Sequence, residues 1–234
     1  MDTAMDRVSD ATTRAGYDLW ADNYPAVAHN PMMRLEQEIV ESILATLRPR
    51  RALDVGTGSG RYLAVLARAG AASVVGVDFS MAMLRHAALQ RCATVVKPLI
   101  ACADALRLPF GRKAFDLINA SLMVGDVANL DAWTREMART LARSGHLVYS
   151  DFHPSWTEYG WKRTFRSVDG APHDLAFVPH TIEQHLAAID AAGLRAVAIR
   201  EPRFKEDSDP DVKAFRRRWK NPPVVVVFHA HKEL

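Results

Sequence analysis

The chain has 234 residues, of which 49% are hydrophobic and 24% charged, and its net charge is +3. This much apolar surface can build a globular core, so intrinsic disorder is excluded, as are collagen-like and low-complexity chains. The small positive excess does not identify a nucleic-acid-binding protein.

Helices and strands alternate along most of the sequence. The first 30 residues are polar and aromatic, and they predict a short appended cap helix. The predicted helices that follow cover residues 33–47, 61–69, 81–90, 130–141 and 181–193. The predicted strands cover residues 51–55, 73–77, 94–101, 115–120, 146–151, 194–200 and 224–231. Ser80 is placed to cap one helix, and Thr181 with Gln184 forms a capping box before another.

The order of these elements indicates the fold class. Strands separated by helices of about 10 to 15 residues are typical of parallel βαβ units. The last two strands have no helix-like segment between them, so we expect them to pair as an antiparallel hairpin. The sequence predicts one α/β domain over residues 1–234, with a Rossmann-like, doubly wound, mostly parallel seven-stranded sheet and a C-terminal antiparallel hairpin. Ligands of such sheets bind beyond the carboxyl ends of the strands.

Two segments interrupt the alternation, and the first covers residues 154–179. It mixes aromatic with basic side chains, namely Trp156, Tyr159, Trp161, Lys162, Arg163, Phe165 and Arg166. This mixture predicts either a substrate lid over a flat, anionic acceptor or a loop packed on a small core of its own. Base stacking on nucleic acid is a less favoured interpretation.

The second interruption runs from about residue 202 to 223. Its basic and acidic residues are close neighbours, and they are Glu206, Asp207, Asp209, Asp211, Arg216, Arg217, Arg218 and Lys220. Because the charges are mixed, the sequence favours a solvated charged loop over an anion-binding site.

A glycine-rich turn follows the first predicted strand. Gly56, Gly58 and Gly60 alternate with Thr57 and Ser59 before a helix begins. Glycine allows a tight turn and the close approach of a ligand to the backbone, and the helix start offers free N–H donors. Such a turn alone is weak evidence for a ligand.

Acidic residues at the ends of three predicted strands strengthen the case for a ligand. Asp54 precedes the first glycine, Asp78 ends the second strand and Asp104 follows the third. An acid at the position of Asp78 can accept hydrogen bonds from both ribose hydroxyls. Asp54 would repel a pyrophosphate, and the spacing G-x-G-x-G differs from the G-x-G-x-x-G of dinucleotide-binding loops. The pattern favours S-adenosylmethionine, whose sulfonium and ammonium groups are cationic.

With these motifs the sequence resembles the class I S-adenosylmethionine-dependent methyltransferases. Residues 54–60 match their D-x-G-x-G-x-G loop, and residues 74–80, 115–121 and 141–148 are similar to three further motifs of the family. The resemblance covers about residues 15–153 and implies S-adenosyl-L-methionine as the cofactor. The residues that it assigns to cofactor binding are Tyr17, Tyr24, Asp54, Gly56, Thr57, Gly58, Gly60, Asp78, Phe79, Ser80, Ala103, Asp104, Ala105, Ala120 and Ser121.

The N-terminal segment is similar to the cap of a small-molecule branch that includes the ubiquinone and menaquinone methyltransferases. The resemblance implies that Tyr17 and Tyr24 close over the methionine end of the cofactor. The alternative is an amphipathic helix that packs its aromatic side chains on the core. Many members of the branch carry a histidine pair after the fourth strand, where this chain has Gly125 and Asp126.

Methyl transfer requires an acceptor atom held in line with the methyl group, and an oxygen acceptor also needs a base. The candidates are His153, which follows the fifth strand and faces the expected cleft, His180, which precedes the capped helix, and Asp126, which lies after the fourth strand. The leading prediction is transfer to an O, N or C atom of a small organic acceptor. The alternatives are an RNA or protein methyltransferase, a non-catalytic S-adenosylmethionine-binding protein and an NAD(P)-dependent oxidoreductase.

The remaining features concern redox state and location. Cys92 and Cys102 form no CxxC motif, so we expect reduced thiols and no metal site. The first residues lack the apolar stretch of a signal peptide, and no apolar run approaches the roughly 20 residues that span a bilayer. These features predict a cytoplasmic protein without a membrane span. Neither the acceptor nor an oligomeric state follows from the sequence.

Overall fold

A computed structural model describes residues 10–90, 96–205 and 209–233 of the chain. Its helices are α1 (Asp10–Trp20), α2 (Pro31–Leu44), α3 (Arg61–Arg68), α4 (Met81–Gln90), α5 (Leu130–Thr140), α6 (Ile182–Ala191) and α7 (Pro210–Trp219). Its strands are β1 (Arg51–Val55), β2 (Ser73–Asp78), β3 (Leu99–Cys102), β4 (Phe115–Ser121), β5 (Leu141–Phe152), β6 (Arg163–Arg166), β7 (Pro172–Leu175), β8 (Leu194–Arg200) and β9 (Val225–Lys232).

Seven strands form one sheet in the order β3-β2-β1-β4-β5-β9-β8. The strands from β1 to β5 are parallel, whereas β9 pairs antiparallel with both β5 and β8. The predicted doubly wound sheet with a C-terminal antiparallel hairpin is confirmed. Because β1 and β4 are neighbours, the strand order reverses between them, and the carboxyl ends of the parallel strands flank a crevice there.

Both faces of the central strands are buried, which explains their nearly continuous apolar sequences. On one face Trp133, Tyr149 and Phe228 are fully buried beneath α5 and α6. On the other face Leu44 of α2 and Leu66 of α3 are fully buried. The two apolar layers hold the sheet rigidly, so that the loops at its carboxyl edge have a fixed base.

Helix α7 corrects one prediction, because a helix does lie between the last two strands. Asp209 caps it by accepting a hydrogen bond from the Asp211 N–H group at 2.8 Å, and Pro210 occupies the first turn. Val212 is buried on the inner face, and Phe215 packs on Trp156 with their ring centroids 5.2 Å apart. Tertiary packing of a narrow apolar stripe stabilises a segment whose composition is mostly charged.

The charged cluster of this segment therefore lies largely on a helix and not in a loop. The last turn of α7 contains Arg216, Arg217 and Arg218, where positive charge interacts favourably with the helix dipole, and Lys220 ends the helix. Of the acidic residues before it, Glu206 and Asp207 lie outside the described residues.

Two strand boundaries also differ from the predicted ones. Helix α5 ends at Thr140, and β5 begins at once, with a register shift against β4 that absorbs the residues around Gly145. Strand β3 begins at Leu99 rather than at residue 94, and residues 94 and 95, like Cys92, lie outside the described residues. Cys102 is a free, exposed thiol.

The insertion 154–179 forms a short 3-10 turn, Pro154–Tyr159, and the separate hairpin β6–β7. The Nε1–H group of Trp156 donates to the Val224 carbonyl at 2.8 Å, and its buried ring contacts Trp219 of α7. Phe165 of β6 stacks on Trp20 at the end of α1, with ring centroids 4.9 Å apart. These contacts fit the interpretation as a packed loop, and a lid function stays a prediction.

Among the described helices, none combines the length and apolar character that a membrane crossing requires.

Candidate active site

A cavity opens at the carboxyl edge of the sheet, above β1, β2 and β4. Its wall combines the glycine turn, the ends of β2, β3 and β4, and the cap helix. The residues that line it are Arg14, Tyr17, Tyr24, Val55, Gly56, Gly58, Val77, Asp78, Phe79, Ala103, Asp104, Ala105, Leu106, Ser121, Leu122, Met123, Asp126, Val127, Ala128 and Asn129. The structure thus brings together most of the residues that the sequence assigns to cofactor binding.

The glycine turn has a left-handed backbone that favours glycine. The φ angles of Gly56 and Gly58 are +68° and +55°. A Cβ atom on Gly56 would lie 2.8 Å from the Met123 Cγ atom, so a side chain does not fit there. Above Gly58 the nearest atom to such a Cβ is Tyr24 Cε1 at 3.9 Å, because this position faces the open cavity. A ligand can therefore approach the Gly58 backbone closely.

Asp78 joins the glycine turn to the end of β2. Its Oδ2 atom accepts a hydrogen bond from the Gly58 N–H group at 2.8 Å, and its Oδ1 atom accepts one from the Ser80 N–H group at 2.9 Å. Burial raises the pKa of this carboxyl from 3.8 to about 6, against the lowering effect of both hydrogen bonds. The two N–H groups fix the carboxylate while leaving further lone pairs for a ligand at the cavity wall.

Asp54 has a different position from the one its sequence pattern suggests. It is 2% exposed, lies beneath the glycine turn and is not part of the cavity wall. Its carboxylate accepts hydrogen bonds from Thr57 Oγ1 at 2.7 Å and from Asn119 Nδ2 at 2.8 Å. Burial raises its pKa to about 6. Asp54 therefore braces the turn from inside, and the direct contact with a cationic ligand that we expected does not fit this orientation.

The cavity wall nevertheless has an excess of acidic side chains. Asp78, Asp104 and Asp126 are acidic, and Arg14 is the basic residue among the described residues of the wall. Arg14 lies over the Phe79 ring, 5.4 Å from its centroid. Asp104 is exposed and accepts a hydrogen bond from the Leu106 N–H group. Arg163 pairs with Asp126 from behind the wall, so Asp78 and Asp104 face Arg14 and the site keeps an excess of one negative charge. An excess of this sign favours cationic ligands over phosphates.

The cap helix α1 closes one side of the cavity through aromatic and polar contacts. Tyr17 donates a hydrogen bond to Asp126 Oδ2 at 2.7 Å, and burial raises the pKa of its phenol well above 10. Trp20 packs edge to face on Tyr24 with ring centroids 4.7 Å apart. Tyr17 and Tyr24 therefore line the cavity, as a cap over the cofactor would require. They also pack on neighbouring side chains, as the alternative of an aromatic helix packed on the core predicts.

Asp126 is held by the insertion as well as by the cap. The Arg163 guanidinium forms a buried ion pair with it and also donates to the Ala176 carbonyl at 2.8 Å. This cluster joins α1, the turn after β4 and strand β6. With Tyr17 and Arg163 both donating to it, Asp126 orients neighbouring groups, and its carboxylate has few lone pairs left for a proton from an acceptor.

Asp151 at the end of β5 packs behind this cluster. It is 4% exposed and accepts a hydrogen bond from the Phe152 N–H group at 2.8 Å. A Cβ atom on Gly125 would lie 3.1 Å from Asp151 Oδ1, which explains why glycine fits at this position, where the resembling enzymes carry a histidine. Burial raises the pKa of Asp151 from 3.8 to about 7.

The raised pKa of Asp151 predicts a pH-dependent effect of Asp151→Asn on stability. The neutral carboxyl is favoured in the folded state, so its stabilising contribution is complete below the unfolded pKa and is lost as the pH rises through about 7. Relative to the native chain, the variant should gain roughly 1 to 3 kcal/mol in unfolding free energy between acidic and slightly alkaline pH. Urea unfolding at several pH values measures this gain. An exposed control, Asp174→Asn, should show a flat difference, and a flat difference for Asp151→Asn would contradict the prediction.

Neither histidine candidate belongs to the described wall of the cavity. His153 Nε2 lies 2.9 Å from Glu201 Oε1, and its Nδ1 atom lies 2.7 Å from Ser155 Oγ. His180 Nε2 lies 2.7 Å from the Val127 carbonyl oxygen, and burial lowers the pKa of its imidazole. Each ring therefore has a local structural partner, and a catalytic role for either stays a prediction without support from this geometry.

Several other predicted cofactor residues support the wall from behind. Thr57 and Gly60 shape the turn, Ala120 is fully buried in β4, and Ser80 caps α4 by accepting a hydrogen bond from the Met83 N–H group at 3.1 Å. Sequence reasoning missed Arg14, Leu122, Met123 and residues 127–129, which do line the cavity. Arg14 lies one helical turn before Tyr17, a spacing that could have indicated it. The other residues follow β4 without a chemical signature.

No group of histidine, cysteine and acidic side chains that could bind a metal occurs in the part of the chain that the structure describes.

The sequence is similar to those of known methyltransferases. A family model described as a methyltransferase domain matches residues 53–149. Malonyl-acyl-carrier-protein O-methyltransferase of Methylococcus capsulatus is 31% identical over 170 residues, which are 70% of this chain and 61% of that protein. Demethylmenaquinone methyltransferase of Thermus thermophilus is 37% identical over 107 residues, which are 45% of this chain and 49% of that protein. The chain thus spans less than two thirds of the length of either relative.

Solved structures share the fold at lower sequence identity. An S-adenosylmethionine-dependent methyltransferase from Mesorhizobium loti has a TM-score of 0.66 and 20% identity, and the match covers 84% of this chain and 97% of that one. The cyclase SpnF has a TM-score of 0.68 and 18% identity, with 97% of both chains covered. Since a cyclase also has this fold, the reaction must be argued from the site.

Proposed function

The chain belongs to the class I S-adenosylmethionine-dependent methyltransferases, and we propose that it transfers a methyl group from S-adenosylmethionine to a small organic acceptor. The observation that carries the proposal is the acid-lined cavity above the glycine turn, with three acids and one base in its described wall. S-adenosylmethionine carries a sulfonium and an ammonium group against one carboxylate, so its net charge complements this wall. The pyrophosphate of a dinucleotide has the opposite charge.

The residues of the cavity fit this cofactor. Asp78 is fixed by two backbone N–H groups, with lone pairs left to accept hydrogen bonds from ribose hydroxyls. Phe79 and residues 103–105 form a wall suited to the flat adenine ring, and the open space above Gly58 admits the nucleoside against the backbone. Tyr17 and Tyr24 bound the end of the cavity where the methionine portion would lie.

The bound cofactor supplies an electrophilic methyl group on a positively charged sulfur, and the protein contributes position. An acceptor atom must approach in line to about 3 to 3.5 Å. The Tyr17 hydroxyl, held by Asp126, can orient groups at that end of the cavity. Because Arg163 also binds Asp126, we assign this aspartate a positioning role. Because the carboxylate of Asp126, beside the Tyr17 hydroxyl, is occupied by Tyr17 and Arg163, the site suits an acceptor that is already ionised or electron-rich.

The proposal for the acceptor class comes from the names of the relatives, because the lining of the cavity does not distinguish between acceptors. Their names identify an oxygen atom of malonyl-acyl-carrier protein in one case and demethylmenaquinone in the other as the methyl acceptor. Both are small organic groups, and we propose one of this kind, free or bound to a carrier. RNA methylation is disfavoured, because the insertion packs its Trp156 ring inward where no base can stack on it.

Calorimetric titration tests the proposal. The native chain should bind S-adenosylmethionine and S-adenosylhomocysteine at micromolar concentration, and NADH should release no binding heat. The His153→Ala variant is the control, because its imidazole lies away from the cavity wall, and it should bind as the native chain does. Absence of binding at high micromolar concentration, or tighter binding of NADH than of S-adenosylhomocysteine, would refute the proposal.

A further inference from the structure

Leu122 has an unusual backbone at the cavity wall. It directly follows β4, lines the cavity and has a φ of +55°, in the left-handed region that a leucine rarely adopts. Its N–H group donates to both the carbonyl oxygen and the Oγ atom of Ser150, each at 3.0 Å. A strained conformation of this kind persists only where its surroundings hold it.

Glu36 of α2 lies behind this turn and is fully buried. Its Oε1 atom accepts a hydrogen bond from Ser150 Oγ at 2.7 Å. Its Oε2 atom accepts hydrogen bonds from Arg61 Nη1 and from the Tyr62 hydroxyl, both at 2.9 Å. Arg61 and Tyr62 begin α3 immediately after the glycine turn. The Glu36 carboxylate therefore contacts both Ser150, which holds the Leu122 turn, and the first two residues of α3, which follow the glycine turn.

These two walls touch each other inside the site. A Cβ atom on Gly56 would lie 2.8 Å from Met123 Cγ, next to Leu122 in the chain. The tight fit means that a small shift of either wall changes the space for a nucleoside. A misplacement of about 1 Å can reduce the efficiency of a site about 100-fold.

We propose that Glu36 and Ser150 are positioning residues, which hold the left-handed Leu122 turn and the start of α3 at the spacing that cofactor binding requires. The proposal rests on the proposed function only in that S-adenosylhomocysteine is the ligand used to probe the cavity. Neither residue lines the cavity. Ser150 acts through the Leu122 N–H group, and Glu36 acts through the side chains of Ser150, Arg61 and Tyr62.

A double-mutant cycle tests the role of Ser150. Ser150→Ala removes the Oγ atom and should raise the Kd for S-adenosylhomocysteine about tenfold. In a Leu122→Gly background the left-handed backbone needs no support, so the same substitution should change the Kd by less than about threefold. A purely structural role would give the same factor in both backgrounds. Ser42→Ala, on the exposed face of α2, is the matched control and should leave the Kd unchanged.

Glu36→Gln tests the other half of the network. It should raise the same Kd about tenfold or more, because Arg61 keeps its charge but loses its ionised partner. The matched control is Glu38→Gln, at an exposed position of the same helix. Circular dichroism and thermal melting check that each variant folds. The inference would be overturned if Ser150→Ala raised the Kd by the same factor in both backgrounds, or if a folded Glu36→Gln variant kept the native affinity. Absence of binding by the native chain would instead refute the proposed function.

Discussion

Replacing Asp78 by alanine is expected to raise the Kd for S-adenosylhomocysteine at least about 100-fold, as two hydrogen bonds to a charged acceptor contribute about 1.5 to 3 kcal/mol each. Asp78 is 8% exposed and lines the cavity together with Gly58 and Phe79. Its loss removes the group that we propose as the acceptor for both ribose hydroxyls. It also releases the N–H groups of Gly58 and Ser80, which then lose their fixed partner.

Calorimetry with S-adenosylhomocysteine measures this effect, and thermal melting shows whether the variant is folded. Asp174→Ala is the matched control, because its carboxylate lies on the surface and pairs with Lys162 at 3.1 Å. The control should bind as the native chain does. A folded Asp78→Ala variant with native affinity would contradict the assignment of Asp78 to the ribose.

Gly58→Val is expected to abolish measurable cofactor binding through two separate effects. Valine is strained at the φ of +55° that Gly58 adopts, at a cost of about 1 to 3 kcal/mol. The branched side chain would also occupy the open space above Gly58, where the nucleoside is expected. The first effect lowers the melting temperature, and the second removes the binding heat.

A second glycine separates these effects. Gly170, in the turn between β6 and β7, has a φ of +83° and no atom within 4 Å of an added Cβ. Gly170→Val should therefore lower the stability by a similar amount yet keep the native affinity. If Gly58→Val, folded at the assay temperature, bound S-adenosylhomocysteine like the control, the cavity above Gly58 would not be the cofactor site.

The sheet and the glycine turn were predictable because their signals are local. Short apolar strands, helices of regular length and glycines at alternate positions each reflect a constraint that neighbouring residues impose. Thr181 and Gln184 form the predicted capping box, with both reciprocal hydrogen bonds present. The strand order then follows from the general rules for parallel βαβ units.

Local sequence signals could not predict helix α7 or the orientation of the Asp54 side chain. The apolar stripe of α7 is narrow, and its helix depends on packing against Trp156, more than 50 residues earlier in the chain. Asp54 sits at the predicted strand end, but Thr57 and Asn119 turn its carboxylate inward. A pattern places a residue at an edge of the sheet, whereas its partners decide which way it points.

The cluster around Asp126 shows the same limit for the site. Tyr17 and Arg163 lie 109 and 37 residues from Asp126 in the chain, and the fold brings all three together at the cavity. Sequence reasoning singled out Asp126 as a candidate base, yet these donors occupy its carboxylate. Likewise, the His153 imidazole contacts Ser155 and also Glu201, which lies 48 residues away in the chain. Only the three-dimensional contacts separate a base from a positioning group.

A crystal structure of the chain with S-adenosylhomocysteine tests the central claim most directly. We expect the adenine between Phe79 and residues 103–105, both ribose hydroxyls on the Asp78 carboxylate and the sulfur near Tyr17. A nucleoside bound elsewhere, or a cavity that stays empty at saturating ligand while Asp78 keeps only its backbone partners, would contradict it.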